Sequence, residues 1–239
     1  MEEIIKVNQL SKSYFGNTVV KNLNLCLKSG MVLGILGANG AGKSTSIECI
    51  LGIKKPDRGS IIILGMDPFN DRKKLFKNIG VQFQENAYQK EIKVYELCEE
   101  TSSLYKDPAD WHQLLRQFGI EEKEKCLVKN LSGGERQRLF IILALIPKPK
   151  IVFLDELTTR LDAKARRGVW QNLEYLKKSG LTIILTSHFM DEVKALCDEI
   201  IILKKGSTVF HGTVDEAVKT SPYDSFEDAY LWYSDEEAK

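Results

Sequence analysis

The run Gly37-Ala38-Asn39-Gly40-Ala41-Gly42-Lys43-Ser44-Thr45 satisfies G-x-x-x-x-G-K-[ST] at every fixed position. Before it, Met31-Val32-Leu33-Gly34-Ile35-Leu36 reads as a buried strand, and residues 44–51 read as the first turns of a helix. Between a strand and a helix, successive backbone N–H groups can converge on a chain of phosphates. Glycine lets the backbone fold back, and the positive end of the following helix adds to the nest. In such a loop Lys43 reaches the β- and γ-phosphates and the Ser44 hydroxyl ligates Mg²⁺. An ordinary glycine turn capped by a hydroxyl residue would share the composition. The strand on one side and the helix on the other favour the phosphate loop, which specifies a nucleoside triphosphate and leaves the reaction open.

Composition narrows the alternatives. The 239 residues suffice for one large domain, or one domain carrying an insertion, and 43% of them are hydrophobic. A formal net charge of +1 gives no electrostatic case for nucleic acid or an acidic membrane. The five cysteines are odd in number and form no C-x-x-C pair, and the three histidines are dispersed. That suits a reducing compartment better than a disulfide framework or a zinc site. Met1-Glu2-Glu3-Ile4-Ile5 lacks the basic and apolar regions of a signal peptide. The longest apolar run, residues 139–146, is far short of the roughly 20 residues that span a bilayer. The expectation is a chain soluble by itself, whose membrane role would need a partner.

Outward from the loop, residues 4–10 and 19–27 alternate as strands, with residues 11–17 read as a turn holding two aromatics, Tyr14 and Phe15. Further strands are read at 60–64, 79–83, 151–154, 181–186, 200–203 and 208–211, and helices at 71–78, 163–178, 190–197, 213–219 and 225–233. Residues 88–129 shift to helical spacing, and Leu131-Ser132-Gly133-Gly134-Glu135-Arg136-Gln137-Arg138 opens another helix that stops before Pro147. The fold expectation is α/β. Residues 1–87 and 147–212 form a core with an antiparallel β subdomain, 88–146 a helical insertion too small for its own core, and 213–239 C-terminal helices.

Asp155 ends a buried apolar strand, where an ionised carboxylate needs a strong partner; a Mg²⁺ held jointly with Ser44 supplies one. Glu156 follows directly and so points away from Asp155, able to contact an attacking water. General-base assistance of that kind is worth roughly 10²–10⁴ in rate. The competing readings are a helix cap for Asp155 and a surface carboxylate for Glu156.

The ordered set Tyr14, Gly37 to Thr45, Gln84, Leu131 to Arg138, Ile151 to Glu156, Leu161-Asp162 and His188 resembles the ATP-binding-cassette (ABC) ATPases, of the bacterial exporter type. The resemblance covers nearly the whole chain and implies a P-loop NTPase core with a helical insertion carrying the Leu-Ser-Gly-Gly signature. It implies that Ser132, Gly133 and Gly134 bind the γ-phosphate of ATP held by a second subunit. It further implies that Gln84 contacts Mg²⁺ or the water and links nucleotide state to the insertion. His188 would contact the γ-phosphate, and Tyr14 would stack on adenine. ATP and Mg²⁺ are the implied cofactors. The implied partners are a second ATPase subunit and a separate membrane permease, at the cytoplasmic face of the membrane. Residues 225–231 resemble the short C-terminal helix of exporter-type subunits, which points to export of a drug, peptide or antibiotic-like substrate. The alternative is a soluble ABC ATPase acting on nucleic acid or ribosomes. A kinase built on the same loop is disfavoured by the signature. Two positions depart from the family pattern. Leu157 stands where Pro is usual, and Arg160 stands where Gly is usual, in a loop that the resemblance puts at the dimer interface.

Overall fold

A computed structural model describes residues 2–83, 87–159 and 161–234. Alternating apolar residues build two long antiparallel strands, β1 (Glu3–Tyr14) and β2 (Asn17–Lys28), with Ile5 opposite Leu27 and Tyr14 opposite Asn17. Ile5, Val7 and Leu10 bury one face of β1, and Val20, Leu23, Leu25 and Leu27 that of β2. The turn read over residues 11–17 is therefore too long, because pairing continues to Tyr14. Only Phe15 and Gly16 form the turn, both left-handed at φ 50° and 82°. Two such residues in a row match the twist of a tight hairpin. Asp57 secures this end of β1 by accepting from the Ser13 N–H at 2.6 Å and from Lys12 Nζ at 3.0 Å. On the other edge of β1, β4 (Arg58–Ile63) completes a three-stranded sheet.

The second sheet has six strands. They are β3 (Val32–Leu36), β5 (Ile79–Gln82), β6 (Ile151–Leu154), β7 (Thr182–Thr186), β8 (Glu199–Lys204) and β9 (Ser207–Gly212), in the order β5-β6-β7-β3-β8-β9. The first five run parallel, and β9 returns antiparallel through Lys205-Gly206. Every residue of β3, β6 and β7 is buried. That is the pattern of parallel strands covered on both faces. One face packs with the first sheet and with α1 (Lys43–Ile50), bringing Ile5, Leu27, Ile47, Ile50, Phe153 and Ile184 into one cluster.

The other face takes the insertion, α3 (Val94–Ser103), α4 (Trp111–Gln117) and α5 (Gly133–Leu145), together with α6 (Ala163–Lys178). Leu115, Leu139 and Ile142 share a single cluster with Val152, Leu154, Ile183 and Leu185. The insertion thus buries its apolar residues against the sheet. Gly80 on β5 makes that approach possible, since a Cβ there would fall 1.9 Å from the Ala144 carbonyl oxygen of α5. At the far edge, α7 (Met190–Leu196), α8 (Val214–Thr220) and α9 (Phe226–Ser234) close a third cluster around Leu36, Val193, Ile202, Phe226 and Tyr230. The short α2 (Arg72–Leu75) precedes β5. Among the described residues, no helix is long and apolar enough to cross a membrane.

Candidate active site

The strand order decides what meets what. β6, β7 and β3 are neighbours and parallel, so their C-terminal ends open on the same edge. That edge is where open α/β sheets take their ligands. It carries Gly37 to Thr45 after β3, Asp155 and Glu156 after β6, and Ser187 and His188 after β7. The phosphate loop is held from behind. Gly206 N–H donates to the Ala41 carbonyl at 3.1 Å, and a Cβ on Gly42, whose φ is 104°, would lie 2.6 Å from the Val19 carbonyl oxygen of β2. Ala38 is half-buried, Asn39, Gly40 and Ser44 are exposed, and Thr45 is half-buried. Lys43, 7% exposed, donates from Nζ to the Gly37 carbonyl at 2.7 Å and the Ala38 carbonyl at 3.1 Å. Its ammonium is thus folded back over the loop. Gly42 caps α1 without a side-chain acceptor, which leaves the first N–H groups of the helix available to an anion.

Thr186, fully buried at the end of β7, ties the two carboxylates together. Its hydroxyl donates to Asp155 Oδ1 at 2.6 Å and accepts the Glu156 N–H at 2.8 Å. Asp155 is 8% exposed, and burial pushes its carboxyl above the usual carboxylate range, opposed by the Thr186 hydrogen bond. Glu156 has the left-handed φ of 51°, a conformation that costs a non-glycine residue about 1–3 kcal/mol. Its Oε1 lies 3.5 Å from His188 Nε2. Gln137 of α5 secures the same turn by donating to the Glu156 and Leu157 carbonyls at 3.4 and 3.0 Å. Leu157 supplies what a proline could not. Its N–H faces the Thr186 carbonyl at 3.5 Å while its side chain is fully buried. A buried carboxylate on Asp155 and an exposed hydroxyl on Ser44, both on this sheet edge, are a donor set that fits a hard cation completing its shell with waters and phosphate oxygens. Among the described residues, no cluster of three or more His, Cys, Asp or Glu side chains could hold a metal by itself.

The two aromatics of the hairpin part company. The Tyr14 hydroxyl is buried, and Lys12 Nζ and Lys54 Nζ stand 5.3 and 5.4 Å from its ring centroid. Phe15, at the turn, is 105% exposed. Ser132, Gly133 and Gly134 lie on the insertion, and no hydrogen bond among the described residues joins them to the phosphate loop. The Ser132 hydroxyl accepts the Glu135 N–H at 3.2 Å, and Glu135 Oε2 accepts the Ser132 N–H at 2.8 Å, a capping box that starts α5. Gln84 and Arg160 lie outside the described residues. The contacts of Thr186, Gln137 and Phe15 were not read from the sequence. No motif marks Thr186; Gln137 falls within the Leu131 to Arg138 run, but its reach to the Glu156 turn depends on how α5 packs, and the exposure of Phe15 depends on where the turn falls.

The buried Asp155 makes a stability prediction. Because its pKa is raised in the folded chain, the fold binds the proton more tightly than the unfolded chain does. Stability then falls as pH rises from the ordinary carboxylate range through the raised value, and the cost is fully present at neutral pH. Asp155→Asn keeps an acceptor for Thr186 and removes the charge. The nucleotide-free variant is expected to melt above the parent at pH 7.5, with the gap closing as pH falls towards about 4. Thermal unfolding at both pH values checks this; a gap independent of pH would contradict it.

Comparison with known proteins agrees with this geometry. The family model described as "ABC transporter" matches residues 20–159. The chain is 37% identical over 223 residues to the Nod factor export ATP-binding protein I of Rhizobium etli, covering 90% of this chain and 71% of that one. It is 32% identical over 215 residues to a linearmycin resistance ATP-binding protein of Bacillus subtilis, covering 88% and 69%. It is also 34% identical over 227 residues to a methionine import ATP-binding protein of Haemophilus influenzae, covering 89% and 66%. A solved ATP-binding subunit of an ABC transporter superposes with a TM-score of 0.88 at 24% identity, over 96% of this chain and 99% of that one, which shows the shared fold. With the phosphate loop, the paired acids and His188 on one sheet edge, the chain belongs to the ABC transporter family as an ATP-binding subunit that hydrolyses ATP.

Proposed function

We propose that this chain powers a separate membrane permease, working as one of two ATPase subunits, and that the direction is export. The observation that carries the catalytic part is the meeting of Lys43, Asp155, Glu156 and His188 at the ends of three adjacent parallel strands. Lys43 and the N–H groups of Gly40 to Thr45 hold the β- and γ-phosphates of ATP. Asp155 and Ser44 hold Mg²⁺, whose charge when bound offsets that of the phosphate oxygens. Glu156 accepts a proton from water as the water oxygen bonds to the γ-phosphorus, and the bond to the β–γ bridging oxygen breaks to leave ADP and phosphate. His188, within reach of Glu156, contacts the γ-phosphate. Ser132, Gly133 and Gly134 stand apart from the loop of their own chain, which supports their serving the nucleotide of a second subunit. Glu156→Gln keeps shape and loses the base. It is expected to retain ATP affinity while hydrolysis slows by roughly 10² or more. Isothermal titration and phosphate release measure the two separately, and parental turnover would assign the proton transfer to another group.

The adenine contact is better given to Phe15 than to Tyr14. An exposed ring at the tip of a hairpin that leans on the phosphate loop is available to a base, whereas Tyr14 is engaged by Lys12 and Lys54. Phe15→Ala is expected to weaken ATP binding by about 3- to 10-fold, the 0.5–1.5 kcal/mol of an aromatic pair. Tyr14→Phe should leave affinity unchanged. The opposite pattern in a fluorescent-nucleotide titration restores Tyr14 to the role.

A groove supports the permease. It lies between β5 and the insertion, has a volume near 290 Å³ and is lined by Phe76, Val81, Leu97, Phe140, Leu143 and Pro147. A short amphipathic helix of the permease could set its apolar side chains against these residues. Tyr88 stands beside this groove, packed on Phe140. It is half-buried, its ring 5.9 Å from that of Phe140 and its hydroxyl accepting from Arg136 Nη1 at 3.1 Å. Export is supported by the relatives named for export and resistance, against one named for import. Leu97→Lys is expected to abolish co-purification with the permease while basal ATPase activity persists; undiminished capture of the permease would move the docking site elsewhere.

A further inference from the structure

Glu192 is a carboxylate with no exposure at all, placed in the first turn of α7 and outside the reaction described above. Few acids are buried this completely unless their oxygens are engaged. Glu192 Oε1 accepts from the Thr158 hydroxyl at 2.6 Å and from Trp170 Nε1 of α6 at 2.8 Å. Burial pushes its carboxyl up, opposed by hydrogen bonds from Ser187, Thr158 and Trp170. Thr158, 1% exposed, lies two residues after Glu156, and Glu192 lies four residues after His188. The neighbouring contacts join the same two elements. The Arg166 guanidinium of α6 stacks on the Phe189 ring at 4.1 Å and meets Asp191 Oδ2 at 3.5 Å. Ser187 Oγ accepts the Phe189 N–H at 3.0 Å, which sets the entry to α7.

We infer that Glu192 is a positioning residue for the ATPase site, holding the loop that carries Glu156 in register with the segment that carries His188 through its hydrogen bond to Thr158. The inference rests on the proposed roles of Glu156 and His188. From β7 itself the loop receives the Thr186 contacts, at the Glu156 and Leu157 amides. Beyond Leu157 the chain must be tethered by something else before it reaches Asp162, which caps α6 by accepting the Ala165 N–H at 2.8 Å. The Thr158–Glu192 bond is that tether, and it is made to the helix that begins two residues after His188. Loosening it lets the carboxylate and the imidazole drift relative to each other without removing either.

Steady-state ATPase kinetics of the full chain test this with four variants. Thr158→Val keeps the volume and removes the donor, and Glu192→Leu removes the acceptor. Each is expected to lower kcat by roughly 10- to 10²-fold, the cost of a misplaced catalytic group, with the KM for ATP unchanged. Their combination should be no worse than the more impaired single variant, because both break one interaction. Glu192→Gln keeps an Oε1 acceptor for Thr158 and Trp170 and is expected to restore most of the rate. Glu156→Gln run beside them separates the two readings. If it turns over like the parent, the assignment of Glu156 fails; if it is inactive while Thr158→Val keeps the parental kcat, the role of Glu192 fails. A lowered melting temperature with parental kcat also overturns the inference, as would a Glu192→Gln variant as slow as Glu192→Leu. Should Glu192→Leu not fold, Thr158→Val and Glu192→Gln carry the test.

Discussion

One buried hydroxyl organises the chemistry of this chain. Thr186 has a single proton and spends it on Asp155 Oδ1 at 2.6 Å, while its lone pairs accept the N–H of the next residue, Glu156, at 2.8 Å. A threonine at the end of a central strand therefore fixes both the charge that ends β6 and the direction in which the chain leaves it. The arrangement works because β6 and β7 are adjacent and in register, Leu154 opposite Leu185. A slip of one residue would turn the hydroxyl to the other face of the sheet. Every contact of the site downstream, from the 3.5 Å approach of His188 to the Gln137 bonds, depends on that register.

The same place concentrates the unfavourable terms. Asp155 is a carboxylate driven up by burial, Glu156 is left-handed, and Glu192 is an acid without solvent. Each is held by a rigid neighbour rather than by its own preference, and strain of this kind persists only where surrounding structure over-determines it. The surroundings here are three fully buried strands and two helices packed across them, which supply the burial that makes the arrangement tolerable. Function and stability are thus opposed at the strand ends and reconciled by the sheet beneath.

The insertion illustrates a further constraint. Its helices share one cluster with the underside of the sheet, and Gly80 lets the backbone of α5 meet β5 directly. Gln137, on the same helix, bonds to the turn of Glu156. Through Gln137, α5 is thus joined to the turn that carries Glu156. The groove between β5 and the insertion lies beside this contact, so a helix seated there would bear on α5 and β5 at once.

What the sequence determined by itself was the local structure. The phosphate loop stood between a strand and a helix, the buried strands showed as β-branched and aliphatic runs, and the insertion showed as helical spacing. These are legible because each depends on residues close in the chain, where glycine, periodicity and capping act directly. The sequence also signalled the family, through the order of short motifs. It did not signal that Tyr14 would be engaged by two lysines while Phe15 stood exposed, nor that Tyr88 would be locked to Arg136 and Phe140. The joining of Thr186, Asp155, Gln137, Thr158 and Glu192 around one turn was equally hidden. These contacts link residues up to 34 positions apart. Only strand order and register bring such residues together, because a hydrogen bond needs a donor and an acceptor within about 3 Å and no local pattern encodes that distance across a sheet.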